Sequence, residues 1–197
     1  MEASPTDEAR LDEAFAAVPR AAFLPDAQRG SAHLDQPLPI GHGATNSQPW
    51  TVRYMLARLG VRPGQRVLDV GSGSGWTTAL LGHLVGPAGG VVGVDVVPEL
   101  VAMARAHLAG PKTVHMDWVR VEQAEPGVLG RPAEAPFDRI LVSADGRRVP
   151  PELEAQLAPG GRMVLPVAHA MVVVRRGSDG RLTREDTGGL FTFVPLR

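Results

Sequence analysis

Short apolar runs alternate with helical patterns along most of the chain, and this alternation limits the possible folds more than any other feature. Strands are predicted at 67–70, 91–94, 119–121 and 140–142. Helices are predicted among them, at 75–85, 98–108 and 151–157. Alternating strands and helices are typical of a parallel, doubly wound sheet. The sequence therefore predicts an α/β fold.

The N-terminal region adds helices and a long loop before this pattern. An amphipathic helix is predicted over residues 4–18, with Ser4 as its cap. A second helix is predicted over 47–59, with Ser47 at its capping position. The stretch 33–48 is polar and contains prolines and glycines, so we interpret it as a long irregular loop.

The C-terminal region predicts a different kind of sheet edge. Residues 163–167, 171–174 and 190–194 are predicted strands without helices between them, so they should form antiparallel additions to the sheet. We divide the chain into residues 1–60, which hold the N-terminal helices and an active-site loop within the same domain, and 61–197, which form the core.

Length, charge and cysteine content exclude several classes of protein. The 197 residues suit one domain. At a net charge of −1, no overall field attracts nucleic acid or an anionic membrane. The lack of cysteine excludes disulfide scaffolds and thiol nucleophiles, and the scattered histidines show no metal-ligand spacing. We expect a cytoplasmic monomer without metal, nucleic-acid partner or membrane contact.

A glycine-rich loop at 71–75 lies between a predicted strand and a predicted helix. Glycines there allow a tight turn and let a ligand approach N–H groups at the start of the helix. A dinucleotide-binding loop would have its third glycine at position 76, where this chain has Trp76. No Gly-Lys-Ser/Thr follows, which excludes a nucleoside-triphosphate loop. An ordinary strand-to-helix turn is the alternative.

Two aspartates end neighbouring predicted strands beside this loop. Asp95 follows Gly71 at close to the ~20-residue spacing expected for an acid that holds a ribose diol. It could also cap the helix that begins near Pro98. Asp69 directly precedes the loop, where its charge would repel a diphosphate and attract an amino group and a sulfonium. Asp69 could instead only bond loop amides, but the pair favours S-adenosylmethionine over a dinucleotide.

Several motifs, in order along nearly the whole chain, resemble those of the protein-L-isoaspartate O-methyltransferases. The loop from Pro37 to Pro49 and the ending Phe193-Val194-Pro195-Leu196 are more specific than the glycine motif, which many methyltransferases share. The other matching segments are Val18-Pro19-Arg20, Phe23-Leu24-Pro25, Val67 to Gly75, Ala135-Pro136-Phe137-Asp138 and Pro159 to Val167. The resemblance implies the doubly wound S-adenosylmethionine methyltransferase fold. It also implies esterification of the carboxylate of L-isoaspartyl, or related aspartyl, residues in proteins or peptides, a repair activity.

The same resemblance implies the site residues. Ser47 corresponds to the family's active-site serine and is expected to act with Thr45. A carboxylate is already ionised at pH 7, so its methylation needs no general base, and the Ser47 hydroxyl can orient it. Capping a helix is the alternative role for Ser47. The implied cofactor-binding residues are Ala44, Asn46, Asp69, Gly71, Ser72, Gly73, Gly75, Asp95, Val96, Gln123 and Ala124.

The chain departs from the family pattern at Asn46, where the family usually has an apolar residue. Because Asn46 is expected beside the reactive carboxylate, it bears on the choice of substrate. Two alternatives therefore stay open: a carboxyl methyltransferase for aspartate in one specific modified peptide, and a cofactor-binding homologue without catalysis.

A second departure is Glu122-Gln123-Ala124, which replaces the family's Gly-Asp-Gly. The aspartate of that motif meets the adenine amino group. If Val121 faces the buried side of its strand, period two predicts that Gln123 reaches the cofactor. Its amide offers an acceptor and a donor to the adenine edge. Glu122 is the rival if the register shifts by one residue.

Overall fold

The structure, a computed structural model, describes residues 5–196. In that range the α-helices are Pro5–Ala17 (α1), Asp26–Arg29 (α2), Pro49–Leu59 (α3), Trp76–Val85 (α4), Pro98–Leu108 (α5) and Pro151–Glu154 (α6), and short 3-10 helices lie at Arg20–Phe23 and Pro132–Glu134. The strands are Leu38–Gly41 (β1), Ala44–Asn46 (β2), Arg66–Val70 (β3), Gly90–Asp95 (β4), Val119–Gln123 (β5), Phe137–Val142 (β6), Leu157–Val167 (β7), Ala170–Arg176 (β8) and Leu182–Asp186 (β9). Ser4, the expected cap of α1, lies outside the described residues.

The central sheet of the described chain has the strand order β5-β4-β3-β6-β7-β8-β9. The strands from β5 to β7 pair in parallel, whereas β8 and β9 are antiparallel additions at one edge. The predicted doubly wound α/β fold with an antiparallel C-terminal edge is thus confirmed. After β5 the chain returns to the opposite side of β3, so the strand order reverses there. Open α/β sheets bind ligands at such a reversal, beyond the carboxyl ends of the strands.

Period two in β3 assigns its side chains to two cores. Val67 faces the core that α1, α3 and α4 cover. Leu68 and Val70 face the opposite core, which includes Leu153 of α6. Burial on both faces explains why the parallel strands are continuous apolar runs in the sequence.

The last strand differs from the prediction. Residues 190–194 do not form a strand, and β9 lies at 182–186 instead. Gly188 and Gly189 have φ values of 73° and 93°, which turn the chain away from the sheet after β9. The predicted helix 151–157 is also shorter, because α6 ends at Glu154.

The expected irregular loop at 33–48 contains a hairpin. β1 and β2 pair antiparallel, with Leu38 opposite Asn46 and Pro39 opposite Thr45. The turn between them uses positive φ values at His42 and Gly43, of 54° and 74°. We call residues 38–46 the β1–β2 hairpin.

The helix α1 is attached to the core through Trp76, the residue at the expected third-glycine position. The Phe15 ring meets the Trp76 ring edge-on at 5.6 Å. Arg10 donates to the carbonyl oxygens of Val61 and Leu84 at 2.9 and 2.8 Å. The N-terminal helix therefore packs into the same core as the sheet. The division of the chain into residues 1–60 and 61–197 stays a prediction.

Candidate active site

A cavity of about 480 Å³ opens beyond the carboxyl ends of β3, β4 and β6, where the strand order reverses. Residues 42–45 of the β1–β2 hairpin, together with Ser47, line it. The C-terminal segment 190–196 also lines it, and residues 128–130 add to the wall. This volume lies in the ~300–1,000 Å³ range of small-molecule sites.

The glycine loop has the conformation that its sequence predicts. Gly71 and Gly75 have φ values of 79° and 89°, a region that favours glycine. The Gly71 N–H donates to the Val94 carbonyl at 2.9 Å, which holds the turn against β4. A Cβ on Gly75 would lie 3.1 Å from the Cβ of Ala104, so this glycine allows α5 to approach closely. Gly71 and Gly73 line the cavity, whereas Gly75 lies against Ala104.

Asp95 ends β4 and lines the cavity. Its Oδ2 accepts the Gly73 N–H at 2.9 Å, and its Oδ1 accepts the Val97 N–H at 3.0 Å. The carboxylate therefore joins the glycine loop to the segment that leads into α5. An ionised carboxylate has about four lone-pair sites, so two remain for a ligand.

Asp69 does not reach the cavity, contrary to the expectation of direct cofactor contact. Period two places it on the side of β3 that α4 covers, and it is completely buried. Its Oδ2 accepts the hydroxyls of Thr77 and Thr78 at 2.9 and 2.7 Å, and its Oδ1 has no partner among the described residues. Burial raises the pKa of Asp69 to about 6, against the effect of these hydroxyls.

The helix α3 begins at Pro49 with Gln48 as its N-cap residue, so the capping role for Ser47 is wrong. Asp35 performs that role, since its Oδ1 accepts the Trp50 N–H at 2.8 Å. Within the described chain the Ser47 hydroxyl makes no hydrogen bond, and Ser47 lines the cavity. Its hydroxyl is available to a ligand.

Asn46 points away from the cavity, contrary to its expected place beside a reactive carboxylate. The residue is only 4% exposed. Its Oδ1 accepts the Arg20 Nε–H at 2.7 Å, and its Nδ2 donates to Ser74 Oγ at 3.1 Å. Its neighbour Thr45 lines the cavity instead.

Gln123 is exposed and lies outside the cavity lining, which corrects the predicted adenine contact. It follows Val121 at period two, but Val121 packs against α5. Glu122, the rival, also lies outside the cavity lining and pairs with Arg120 and Arg131 at 2.7 and 2.8 Å. From this motif only Ala124 lines the cavity.

The structure thus brings together most, but not all, of the predicted site residues. Those that line the cavity are Ala44, Thr45, Ser47, Gly71, Gly73, Asp95, Val96 and Ala124. Those outside its lining are Asn46, Asp69, Ser72, Gly75 and Gln123. Ser72 is buried, and its Oγ has no hydrogen-bond partner in the described chain.

Sequence reasoning missed the C-terminal wall. Leu190 is 94% exposed at the cavity, and the buried Phe191 stacks on Trp50 with a ring-centre distance of 6.3 Å. The apolar run at 190–194 indicated a strand, yet its apolar side chains form part of the cavity wall. The two preceding glycines were the available signal that the chain turns there.

Features of some other sites are absent from residues 5–196. No group of three or more histidine, aspartate or glutamate residues in this range is arranged to hold a metal ion. None of its helices combines the length and apolarity needed to cross a membrane.

Sequence comparisons match the chain to one family. The model of the family "Protein-L-isoaspartate(D-aspartate) O-methyltransferase" matches residues 4–197. A protein-L-isoaspartate O-methyltransferase of Anaeromyxobacter dehalogenans is 48% identical over 195 residues, covering 95% of this chain and 88% of the relative. One from Aeropyrum pernix is 45% identical over 191 residues, covering 95% and 72%.

Solved structures share the fold. A Plasmodium falciparum protein, assigned as a protein-L-isoaspartate O-methyltransferase and solved in complex with S-adenosyl-L-homocysteine, superposes with a TM-score of 0.81. The alignment covers 95% of this chain and 90% of that protein, at 24% identity.

Proposed function

The chain belongs to the protein-L-isoaspartate(D-aspartate) O-methyltransferase family, and we propose that its cavity brings S-adenosylmethionine and the substrate carboxylate together. The protein is an S-adenosylmethionine-dependent methyltransferase that esterifies L-isoaspartyl residues, a protein-repair activity. The cofactor supplies the methyl group from its sulfonium. One observation carries the site assignment: the glycine loop, Asp95 and Ser47 line a single cavity.

Asp95 is the proposed ribose ligand. Its position is set by two backbone N–H groups, and its free lone pairs can accept hydrogen bonds from a diol. A diol has two donors, which suits a carboxylate with two oxygens. The nearby glycine loop leaves backbone exposed at Gly71 and Gly73 for the rest of the cofactor.

The remaining lining fits a cofactor without phosphate groups. Val96, Leu100, Ala124 and Leu129 give an apolar surface near Asp95 suited to the adenine ring. No arginine or lysine is among the described residues that line the cavity. A diphosphate would lack the cations that usually neutralise it, whereas a nucleoside linked to an amino acid does not need them.

Ser47 and Thr45 are the proposed substrate-side residues. Their hydroxyls can donate hydrogen bonds to an ionised carboxylate and fix which oxygen faces the methyl donor. No residue must remove a proton, because the carboxylate is the nucleophile at pH 7. The main contribution of the protein is alignment of the two reactants away from water. Asn46 lies behind this surface, so its amide gives no reason to propose a dedicated aspartyl peptide.

A pair of short peptides tests the function. One contains an L-isoaspartyl residue, and its control has L-aspartyl at the same position. We expect S-adenosylhomocysteine to form with the isoaspartyl peptide and the ester to yield a succinimide. Equal methylation of both peptides would contradict isoaspartyl specificity, and methylation of neither would contradict the function.

We also propose that the protein works as a monomer in the cytoplasm. The glycine loop, Asp95 and Ser47 of the same chain line one cavity, which suits a site that a single copy can form. A chain without cysteine suits a reducing compartment. Light scattering coupled to gel filtration tests the monomeric state. Cell fractionation tests the cytoplasmic location.

A further inference from the structure

Arg20 organises the segment that leads into the active site. Its side chain is buried, and its Nη1 and Nη2 donate to the carbonyl oxygens of Leu34 and Gln36 at 2.9 and 2.8 Å. Nη2 also donates to the carbonyl oxygens of Asn46 and Ser47, at 2.9 Å each. One guanidinium thus connects the chain before the β1–β2 hairpin with the chain after it.

The Asn46 side chain extends this network to the cofactor side. Its Oδ1 accepts the Arg20 Nε–H at 2.7 Å, and its Nδ2 donates to Ser74 Oγ at 3.1 Å. Ser74 belongs to the glycine loop and is 2% exposed. Its carbonyl oxygen lies 3.0 Å from His107 Nδ1, which fixes the loop against α5.

We propose that Asn46 is a positioning residue, which sets Thr45 and Ser47 relative to the glycine loop through its hydrogen bonds to Arg20 and Ser74. Thr45 and Ser47 are its direct neighbours in the chain and line the cavity on the opposite side of the backbone. Alignment of two bound reactants depends on sub-ångström placement. The Asn46 amide thus links, by side-chain hydrogen bonds, the hairpin residues on the substrate side with the glycine loop on the cofactor side.

Asn46 supplies the side-chain partners of the Arg20 Nε–H and of Ser74 Oγ in this network. Burial lowers the pKa of Arg20, an effect that Asp35 opposes, and the guanidinium still needs acceptors for each of its N–H groups. The Arg20 guanidinium also lies 5.5 Å from the centre of the buried Trp76 ring, which limits its movement. An apolar side chain at position 46 would leave both the Arg20 Nε–H and the Ser74 hydroxyl without their present partner.

The kinetic test of this inference rests on the proposed function. It compares three variants with the wild-type protein. Asn46→Leu keeps the branched shape and the number of heavy atoms of the side chain and removes both hydrogen bonds. Ser74→Ala removes only the link to the glycine loop and leaves every contact of Arg20 in place. Asn46→Asp is the matched control, because its oxygens can accept from Arg20 and from a rotated Ser74 hydroxyl.

Turnover of an isoaspartyl peptide, at saturating peptide and cofactor, is expected to fall about tenfold in Ser74→Ala and further in Asn46→Leu, as a lost buried hydrogen bond predicts. We expect Asn46→Asp to stay within about twofold of wild type, and the Kd for S-adenosylhomocysteine to change little in Ser74→Ala. A purely structural role would lower the melting temperature and leave the turnover of the folded fraction unchanged. That result would overturn the proposal.

Hydrogen exchange provides a readout that does not depend on activity. With S-adenosylhomocysteine bound, amides 44–48 should exchange about tenfold faster in Ser74→Ala than in wild type, while the amides of β3 and β4 stay protected. Exchange that is unchanged at 44–48, or faster throughout the sheet, would refute the positioning role. If wild type methylates neither peptide, the proposed function fails, and exchange still decides the inference. If Asn46→Leu does not fold, Ser74→Ala decides it.

Discussion

Replacing Asp69 by asparagine should make the protein more stable, and the gain should grow with pH. Burial raises the pKa of this carboxyl from its ordinary 3.8 to about 6. A raised carboxyl pKa means that the folded state binds the proton more tightly, so the contribution to stability is present at low pH and is lost as the pH rises through 6. The Asp69→Asn variant has no such proton to lose.

The size of the effect follows from the two pKa values. The raised pKa of Asp69 lowers the free energy of unfolding by about 3 kcal/mol at pH 8, where the carboxyl is ionised in both states, and by about half of that at pH 5, where the folded protein keeps the proton. The difference in free energy of unfolding between variant and wild type should therefore increase by about 1–2 kcal/mol from pH 5 to pH 8. Any fixed effect of the amide on the Thr77 and Thr78 hydrogen bonds cancels in this comparison.

Urea unfolding followed by circular dichroism at pH 5, 6, 7 and 8 measures this difference. Glu99→Gln is the control, because Glu99 is exposed on α5 and the substitution makes the matching change from carboxylate to amide outside the core. A difference between the Asp69→Asn variant and wild type that stays constant from pH 5 to pH 8 would refute the argument from burial.

Three further substitutions test the proposed roles at the cavity. Asp95→Ala should weaken S-adenosylhomocysteine binding by about 1–3 kcal/mol in calorimetry; unchanged affinity in a folded variant excludes the ribose contact. Ser47→Ala should lower turnover about 10- to 100-fold, the equivalent of a hydrogen bond to a charged group, with an unchanged melting temperature; normal turnover would contradict its substrate role. Asp35→Ala should lower stability by about 1 kcal/mol in urea unfolding, because α3 loses its cap; equal stability would disprove that capping.

The parallel part of the sheet was predictable because its strands are buried on both faces. Each is a short apolar run followed by a helical pattern, and both signals are local. β9 was missed because it is an edge strand whose residues 183–186 are polar and exposed, which leaves no apolar run to find. Residues 190–194 were wrongly predicted as a strand, because a run of apolar side chains is found both in strands and in cavity walls.

The errors at the site come from contacts between residues far apart in the chain. Ser47 has a side chain that commonly caps helices. In the structure, however, the hairpin between Asp35 and α3 brings the Asp35 carboxylate to the Trp50 N–H, so Asp35 caps α3. The direction of Asn46 depends on pairing between β1 and β2, which the proline- and glycine-rich sequence did not indicate. Asp95 lies at the cavity, a position that local sequence could indicate because it defines the end of a parallel strand and such ends meet at one edge of the sheet.

The position of Trp50 gives the protein an intrinsic fluorescent reporter. This indole is 53% exposed at the cavity, stacked against Tyr54 and Phe191, whereas Trp76 is buried and Trp118 is half-buried. A peptide that displaces water from the Trp50 ring would shift its emission to shorter wavelength, and the signal from the other two indoles would stay nearly constant. Substrate arrival can therefore be followed in a stopped-flow instrument without a label, separately from the methyl transfer that comes after it.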